Sequence, residues 1–342
     1  MYVPSTGTAN ITAATYYGAL RGLETFSQLV QFNFDTGMYF IPATPWQVMD
    51  APRFAHRGIL LDTARHFEPL RSIRHFLDSM PGHAAAWCVG EPSICPSPSC
   101  TMPLNPATNA TFDFISDLFK DVTQIFTDDY LHLGGDEVDT SCWTSTQSVN
   151  AWLTAKNFTA DNAYEYFVER VQVIARGYGR TTVNWEEVWN HFTTTLPPSS
   201  VIQIWKSKAV LAEVVNAGYR GILSNSDVWY LDHLSTTWEE FYLNEPFDGI
   251  SNTTAHQFIM GGEVCQWGET VDESDLESTV WPRAAAAAER LWSPQTMNNT
   301  AEFQPRLQSF RCLLNRRGVG AAPVDNPTAR TAPPRPGGCF GQ

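Results

Sequence analysis

The densest run of chemically capable side chains is His132-Leu133-Gly134-Gly135-Asp136-Glu137, with Cys142 and Trp143 close behind. Its apolar lead reads as a strand, and the Gly pair lets the backbone turn tightly where that strand ends. Two carboxylates, Asp136 and Glu137, then stand where one substrate could reach both and exchange protons with them. Neighbouring strand residues point to opposite faces, so both acids can serve one pocket only if the chain leaves strand geometry after Gly135. An isolated Asp-Glu pair is ordinarily two solvated loop carboxylates; the apolar lead and the glycines argue for a site.

The elements that must hold this run follow a repeating order of short β-branched stretch, loop and amphipathic helix, which is the pattern of parallel βα units. Strands are expected at residues 57–62, 130–135, 181–186, 201–205, 219–224 and 258–263. Apolar residues of near-3.6 period predict a helix over 112–126, through Phe112, Ile115, Leu118, Phe119 and Val122, and others over 163–175 and 209–217. Polar residues gather at the C-terminal ends of the strands, where a (β/α) barrel builds its active site. The expected fold is therefore an α/β TIM barrel, incomplete at six visible units, spanning 52–320. Residues 1–51, with a helix-like 17–29 and a strand-like 38–41, read as the remnant of an α+β domain. Residues 321–342, rich in Pro and Gly, are expected to be an irregular tail.

Composition narrows the partners. Twenty-two Lys and Arg against 36 Asp and Glu leave a net charge of −14 over 342 residues, which disfavours nucleic acid and anionic lipid. No run approaches the 18 or so apolar residues of a membrane span. Aromatic residues reach 13%, with 12 Trp, and indole rings suit both core packing and the C–H faces of sugars. Sequons begin at Asn10, Asn109, Asn157, Asn252 and Asn298, and with seven cysteines they favour a glycoprotein of an oxidising compartment. Met1-Tyr2-Val3-Pro4 carries no signal peptide, so an incomplete N-terminus is expected. Among the cysteines, Cys312 and Cys339 flank the tail and would pin it. One of Cys88, Cys95 and Cys100 would reach Cys142, and Cys265 reads as a buried free thiol. Cys95-x4-Cys100 lacks the second half of a zinc site, so neither metal nor cofactor is expected.

The Gly134-Gly135-Asp136-Glu137 segment resembles the signature of glycoside hydrolase family 20, the β-N-acetylhexosaminidases, and most resembles eukaryotic secreted or lysosomal members. Further stretches match in order: residues 18–28, His56-Arg57 through Arg65-His66, Asn184-Trp185-Glu186-Glu187-Val188, Gln203-Ile204-Trp205, Trp229-Tyr230-Leu231, Gly261 to Glu269, and Trp281-Pro-Arg-Ala ending at Trp292-Ser293. The likeness implies substrate-assisted, retaining hydrolysis of terminal β-linked N-acetylhexosamine, in which the sugar's own acetamido oxygen attacks the anomeric carbon. It implies Glu137 as general acid and then base, Asp136 as the holder of the acetamido N–H, and Tyr230 as donor to the acetamido carbonyl. It also implies Trp185, Trp205 and Trp267 as walls of the acetyl box, and Arg57 with Glu269 on the outer hydroxyls, with Asp232 beside them. Substrates would be glycans or chitin oligosaccharides ending in N-acetylglucosamine or N-acetylgalactosamine. Relatives often dimerise, so a homodimer is implied, as is an extracellular or lysosomal (vacuolar) location.

One departure is sharp. The family carries its second and third βα units between the helix over 70–80 and Pro81-Gly82-His83, whereas here Met80 joins Pro81 directly, an apparent loss of about 60 residues. The lost strand would have supplied an Asp that buttresses the general acid through the residue matching His83. Two rival readings follow: an inactive relative that binds sugar or a partner subunit, and a metal-dependent barrel hydrolase, which the lack of a spaced His/Asp set disfavours.

Overall fold

The computed structural model describes residues 1–66, 91–193 and 195–325. His83, Cys88, Cys339, the helix expected over 70–80 and the junction at 80/81 lie outside them. The chain divides into two compact units, Met1–Pro52 and Arg53–Gln342. The first holds helix α1 (Tyr16–Leu29), with Thr15 capping its start on Gly18 N, and two short antiparallel pairs, β1 (Tyr2–Val3) with β4 (Trp46–Gln47) and β2 (Gln31–Asn33) with β3 (Met38–Phe40).

The second unit is built on a parallel six-stranded sheet: β5 (His56–Leu61), β6 (Tyr130–His132), β7 (Thr181–Trp185), β8 (Val201–Ile204), β9 (Arg220–Leu223) and β10 (Ile259–Gln266). All six are strands expected from the sequence. Their order across the sheet is β5-β10-β9-β8-β7-β6, with the crossovers made by helices, and this is an incomplete TIM barrel. Among the described residues β5 and β6 each pair on one side only. The expected amphipathic helices appear as α2 (Asn109–Ile125), α3 (Ala160–Gly177) and, after α4 (Glu186–Phe192), α5 (Lys208–Asn216).

Period-2 alternation sorts each strand's side chains between two environments. Outward residues Ile202, Ile204, Leu223 and Val264 join Val188, Leu211, Val214 and Val215 of the helices in the main core. Inward residues stack in layers: Val183, Val201, Ile222 and Met260 low in the barrel, and Leu60, Trp185, Tyr230 and Cys265 with Trp205 and Trp267 at the top. Between them lies a polar layer, where Gln203 Nε2 donates to Ser224 Oγ (2.8 Å) and Glu263 Oε1 (3.1 Å), and His56 Nε2 meets Glu263 Oε2 (3.0 Å). Burial raises the Glu263 pKa, but the His56 hydrogen bond and charge, then Gln203 and His132, outweigh it and hold the carboxyl low.

Several boundaries differ from expectation, β10 running on to Gln266, and two of them have local reasons. β6 ends at His132, short of residue 135, because Gly134 and Gly135 take φ of +69° and +95°. Glu186 is the first residue of α4 instead of the last of a strand, since Glu186 and Glu187 in a first turn complement the helix N-terminus. On α2, Phe112 and Ile115 are buried as the stripe predicts, but Leu118 and Val122 are only half-buried, and Ile125 and Tyr130 beside the one-sided β6 are exposed. Cys100 is the residue that bridges to Cys142, with Cα atoms 5.8 Å apart, and Cys265 is free and buried. No helix among the described residues is long and apolar enough to cross a membrane.

Candidate active site

The turn that carries the two acids is held from three sides. Gly134 N donates to His132 Nδ1 (3.0 Å), Gly134 O accepts from Trp185 N (3.1 Å) and Asn184 Nδ2 (3.2 Å), and Gly135 O accepts from the Tyr164 hydroxyl. Gln172 Nε2 in turn donates to Asn184 Oδ1 at 2.9 Å, so the clamp is itself braced. Glu137 then follows with φ +46°, a left-handed conformation uncommon for a residue with a side chain. The chain thus leaves strand geometry before the two acids, at the Gly pair. Glu137 is exposed and Asp136 is half-buried. The charge of Asp136 reaches both Tyr164 and Tyr230, whose hydroxyls burial in the first place keeps protonated.

The aromatic box lies beside these acids. Trp205 stacks on Tyr230 with centroids 6.4 Å apart and planes 14° apart, Trp267 is 6.0 Å from Tyr230, and Trp185 is 6.3 Å from Trp267. Tyr230 is placed by pairing alongside β10: Leu231 N donates to Cys265 O (2.8 Å) and Cys265 N to Trp229 O (2.9 Å). Among the described residues Asp232 Oδ1 is buried without a hydrogen-bond partner, a polar atom that a hydroxylated ligand could satisfy. Burial raises the Asp232 pKa, and the nearby charge of Glu269 adds to the effect.

The expected pairing of Arg57 with Glu269 is not what the structure brings together. Arg57 lies opposite Gly262, near the start of β5, where its guanidinium donates to Phe54 O and lies 5.1 Å from the Trp292 ring. Glu269 follows the far end of β10, and a strand rises ~3.3 Å per residue, so the two sit toward opposite ends of the barrel. Arg65 takes the place beside Glu269, with Nε 3.5 Å from Oε1 and its guanidinium 5.0 Å from the Trp267 ring. Buried Asp62 fixes that loop by accepting from Ala64 N (2.9 Å), Arg65 Nη1 (3.0 Å) and Gly268 N (3.0 Å). The repeated Arg in His56-Arg57 through Arg65-His66 was the available signal; counting eight residues along a strand and its loop moves from one barrel end to the other.

Other contributors carried no assigned role in the sequence reading. Glu186 Oε2 accepts from Trp205 N and Lys206 N, each at 3.0 Å, and so shapes the end of β8. Glu187 accepts from the Trp205 indole. Arg283, in the Trp281-Pro-Arg stretch, donates to the carbonyls of Leu231, His233 (2.9 Å) and Thr236 (3.3 Å) and ties down the loop bearing Tyr230 and Asp232. Among the described residues no cluster of three or more His, Cys, Asp or Glu is arranged to hold a metal.

The profile of the glycosyl hydrolase family 20 catalytic domain matches residues 54–86 and 79–295, and one described as beta-acetyl hexosaminidase like matches 1–29. Beta-hexosaminidase 1 of Arabidopsis thaliana is 42% identical over 404 aligned residues, covering 98% of this chain and 75% of that protein. Beta-hexosaminidase subunit alpha of Bos taurus is 34% identical, over 92% of this chain and 74% of that one. Among solved structures, the chitobiase of Flavobacterium johnsoniae superposes with a TM-score of 0.76 at 26% identity, over 88% of this chain. An exo beta-N-acetylglucosaminidase of Vibrio harveyi, solved with N-acetylglucosamine, gives 0.80 at 18% identity over 91%, a likeness of fold. This chain spans 57% of the first of these and 65% of the second. With a catalytic-domain profile matched across most of its length, and with acids and indoles gathered at the strand ends, the chain belongs to glycosyl hydrolase family 20.

Proposed function

We propose that this chain is an exo-acting β-N-acetylhexosaminidase that removes terminal β-linked N-acetylglucosamine or N-acetylgalactosamine by substrate-assisted, retaining catalysis. The observation that carries the reading is the box of Trp185, Trp205, Trp267 and Tyr230 within reach of the Asp136 charge. Such a box suits an acetamido methyl and leaves a polar edge for its N–H and carbonyl. Glu137 protonates the leaving oxygen while the acetamido oxygen attacks the anomeric carbon, which keeps the nucleophile tethered to its target. Asp136 accepts the acetamido N–H and stabilises the positive charge that grows there, and the Tyr230 hydroxyl donates to the carbonyl oxygen. Glu137 then takes a proton from the water that opens the cyclic intermediate. Arg65, Glu269 and Asp232 hold the outer hydroxyls through charge-assisted hydrogen bonds.

The test is hydrolysis of a chromogenic N-acetylglucosaminide. Glu137→Gln should lower turnover by about 10² to 10⁴-fold, and Asp136→Asn should be comparably damaging. Replacing the substrate's acetamido group with hydroxyl should abolish turnover, and a thiazoline mimic of the cyclic intermediate should inhibit tightly. A covalent sugar trapped on a protein carboxylate would exclude this mechanism.

A second reading, an inactive relative that binds sugar or a partner subunit, draws on β5 and β6, each paired on one side only among the described residues, and on an alignment to the Arabidopsis relative that is longer than this chain. Both are what two absent βα units would leave. The intact Asp136, Glu137 and Tyr230 favour the catalytic reading. Residues 1–51 then belong to the family's N-terminal domain, the route is secretory, and the assembly is a homodimer.

A further inference from the structure

Leu60 and Cys265 take no part in the chemistry above, yet they are packed with the three indoles and Tyr230 at the top of the barrel. The two are register partners in the parallel pair of β5 and β10, so their side chains leave the sheet side by side on its inward face. Both are buried. Their height follows from the strand period. On β10 the inward positions are Glu263, Cys265 and then Trp267 just past the strand, which puts Cys265 ~7 Å along the chain below that indole and as far above Glu263. On β5 Leu60 stands above Gly58, where an added Cβ would lie 2.6 Å from Glu263 Oε2. Beneath the pair is therefore the polar layer, whose groups are committed to one another: Gln203 to Ser224 and Glu263, and His56 to Glu263. Burial in the first place raises the pKa of the Cys265 thiol, against a hydrogen bond to Ser224, so the sulfur presents itself as a small neutral surface.

We propose that Leu60 and Cys265 form the floor of the acyl box and set the length of N-acyl group that the site accepts, stopping it at acetyl. The proposal rests on the reading of the box as an acetamide site. Rigid rings make the sides, and the floor is backed by buried hydrogen-bonded groups, so a longer acyl chain has nowhere to go without displacing close-packed atoms. The floor is also tied to the residue that aims the acyl group. Cys265 N donates to Trp229 O (2.9 Å) and Leu231 N donates to Cys265 O (2.8 Å), which fixes the Tyr230 backbone relative to the thiol. An acyl chain that rests too high on this floor lifts its carbonyl from Tyr230 and its oxygen from the line of attack, so the loss should fall on kcat as well as on KM.

The test compares chromogenic glucosaminides carrying N-acetyl and N-propionyl groups. One methylene in an apolar pocket changes kcat/KM by about 10 to 200-fold, and wild type should prefer N-acetyl by that order. Cys265→Ala and Leu60→Val each take volume from the floor and should narrow the preference by about tenfold. Val264→Ala takes volume from the outward face of the same strand, where Val264 packs in the main core, and should lower the melting temperature without narrowing the preference. A measurement that needs no variant to fold is the binding of thiazoline mimics to wild type, which should weaken as their alkyl group grows from methyl to ethyl. The proposal is overturned, and the functional reading stands, if wild type turns over the N-acetyl substrate while both floor variants keep its preference. The same holds if Val264→Ala narrows the preference equally, or if the ethyl thiazoline binds as tightly as the methyl one. If wild type neither hydrolyses the N-acetylglucosaminide nor binds the methyl thiazoline, the functional reading fails and takes this proposal with it.

Discussion

Arg65 and Glu269 meet at the mouth of the barrel, Nε to Oε1 at 3.5 Å, with the guanidinium 5.0 Å from the Trp267 ring. Neither side chain is enclosed, at 29% and 53% exposure, so the contact is a loosely solvated pair suited to opening around a polar ligand. Arg57, eight residues earlier, is spent on Phe54 O and the Trp292 ring.

Arg65→Ala should therefore raise KM by about 10 to 100-fold, since a hydrogen bond to a charged group contributes about 1.5–3 kcal/mol. Arg57→Ala should leave KM within about twofold and lower the melting temperature instead, because it removes packing. Steady-state kinetics with thermal melting on both variants separates these outcomes. A KM effect confined to Arg57→Ala would return that residue to the site.

Gly135 is required twice over, by its φ of +95° and because an added Cβ would lie 2.6 Å from Val188 Cγ2. Gly135→Ala should destabilise by about 1–3 kcal/mol and, by moving Glu137, should cost more in turnover than in binding. Adding Val188→Ala should recover part of the stability by relieving the clash, while the backbone cost remains. Denaturant melts of the single and double variants give the comparison.

His132 accepts from Gly134 N through Nδ1, which requires a neutral ring, and burial lowers its pKa from 6.5 to about 4 despite the opposing charge of Glu263. Between these values the unfolded state binds the proton that the folded state refuses, so stability falls as pH drops through that window. The ring Nε2 is buried although the residue as a whole is partly accessible. A fair magnitude is on the order of 2 kcal/mol between neutral pH and pH 4. His132→Asn keeps an acceptor near Nδ1 and removes the titration, so its stability should depend less on pH over this range. Equal slopes in the two proteins would mean that His132 is not the group responsible.

The exposed Ile125 ends α2 a few residues before β6, whose outer edge has no strand partner among the described residues. Barrel closure couples strand number, tilt and shear, and open apolar edges invite association. Inserting a relative's second and third βα units between Met80 and Pro81 should raise the melting temperature and increase turnover by about 10²-fold or more, the scale of a displacement near 1 Å. Equal melting and equal turnover with and without the insert would show that the shorter chain closes its site by other means.

Much of this molecule was legible along the chain. The six strands of the barrel, its main helices and the Gly-Gly turn under Asp136 and Glu137 follow from period, β-branching and glycine, which act between near neighbours in sequence. The grouping of Trp185, Trp205, Trp267 and Tyr230 followed from the likeness to family 20: each indole lies at or just past a strand end, parallel strands deliver their ends to one side, and Tyr230 is paired alongside β10. Tertiary structure decided what depends on distance across the barrel. It placed Arg65 beside Glu269 and left Arg57 near the start of β5, a choice that two equally basic residues on one stretch could not express. It also joined Glu187 to Trp205 and Lys206, and Arg283 to the loop of Tyr230, through hydrogen bonds between elements far apart in sequence. Such contacts depend on register and side-chain direction, which the chain acquires only when the sheet closes and burial forces each polar group to find a partner.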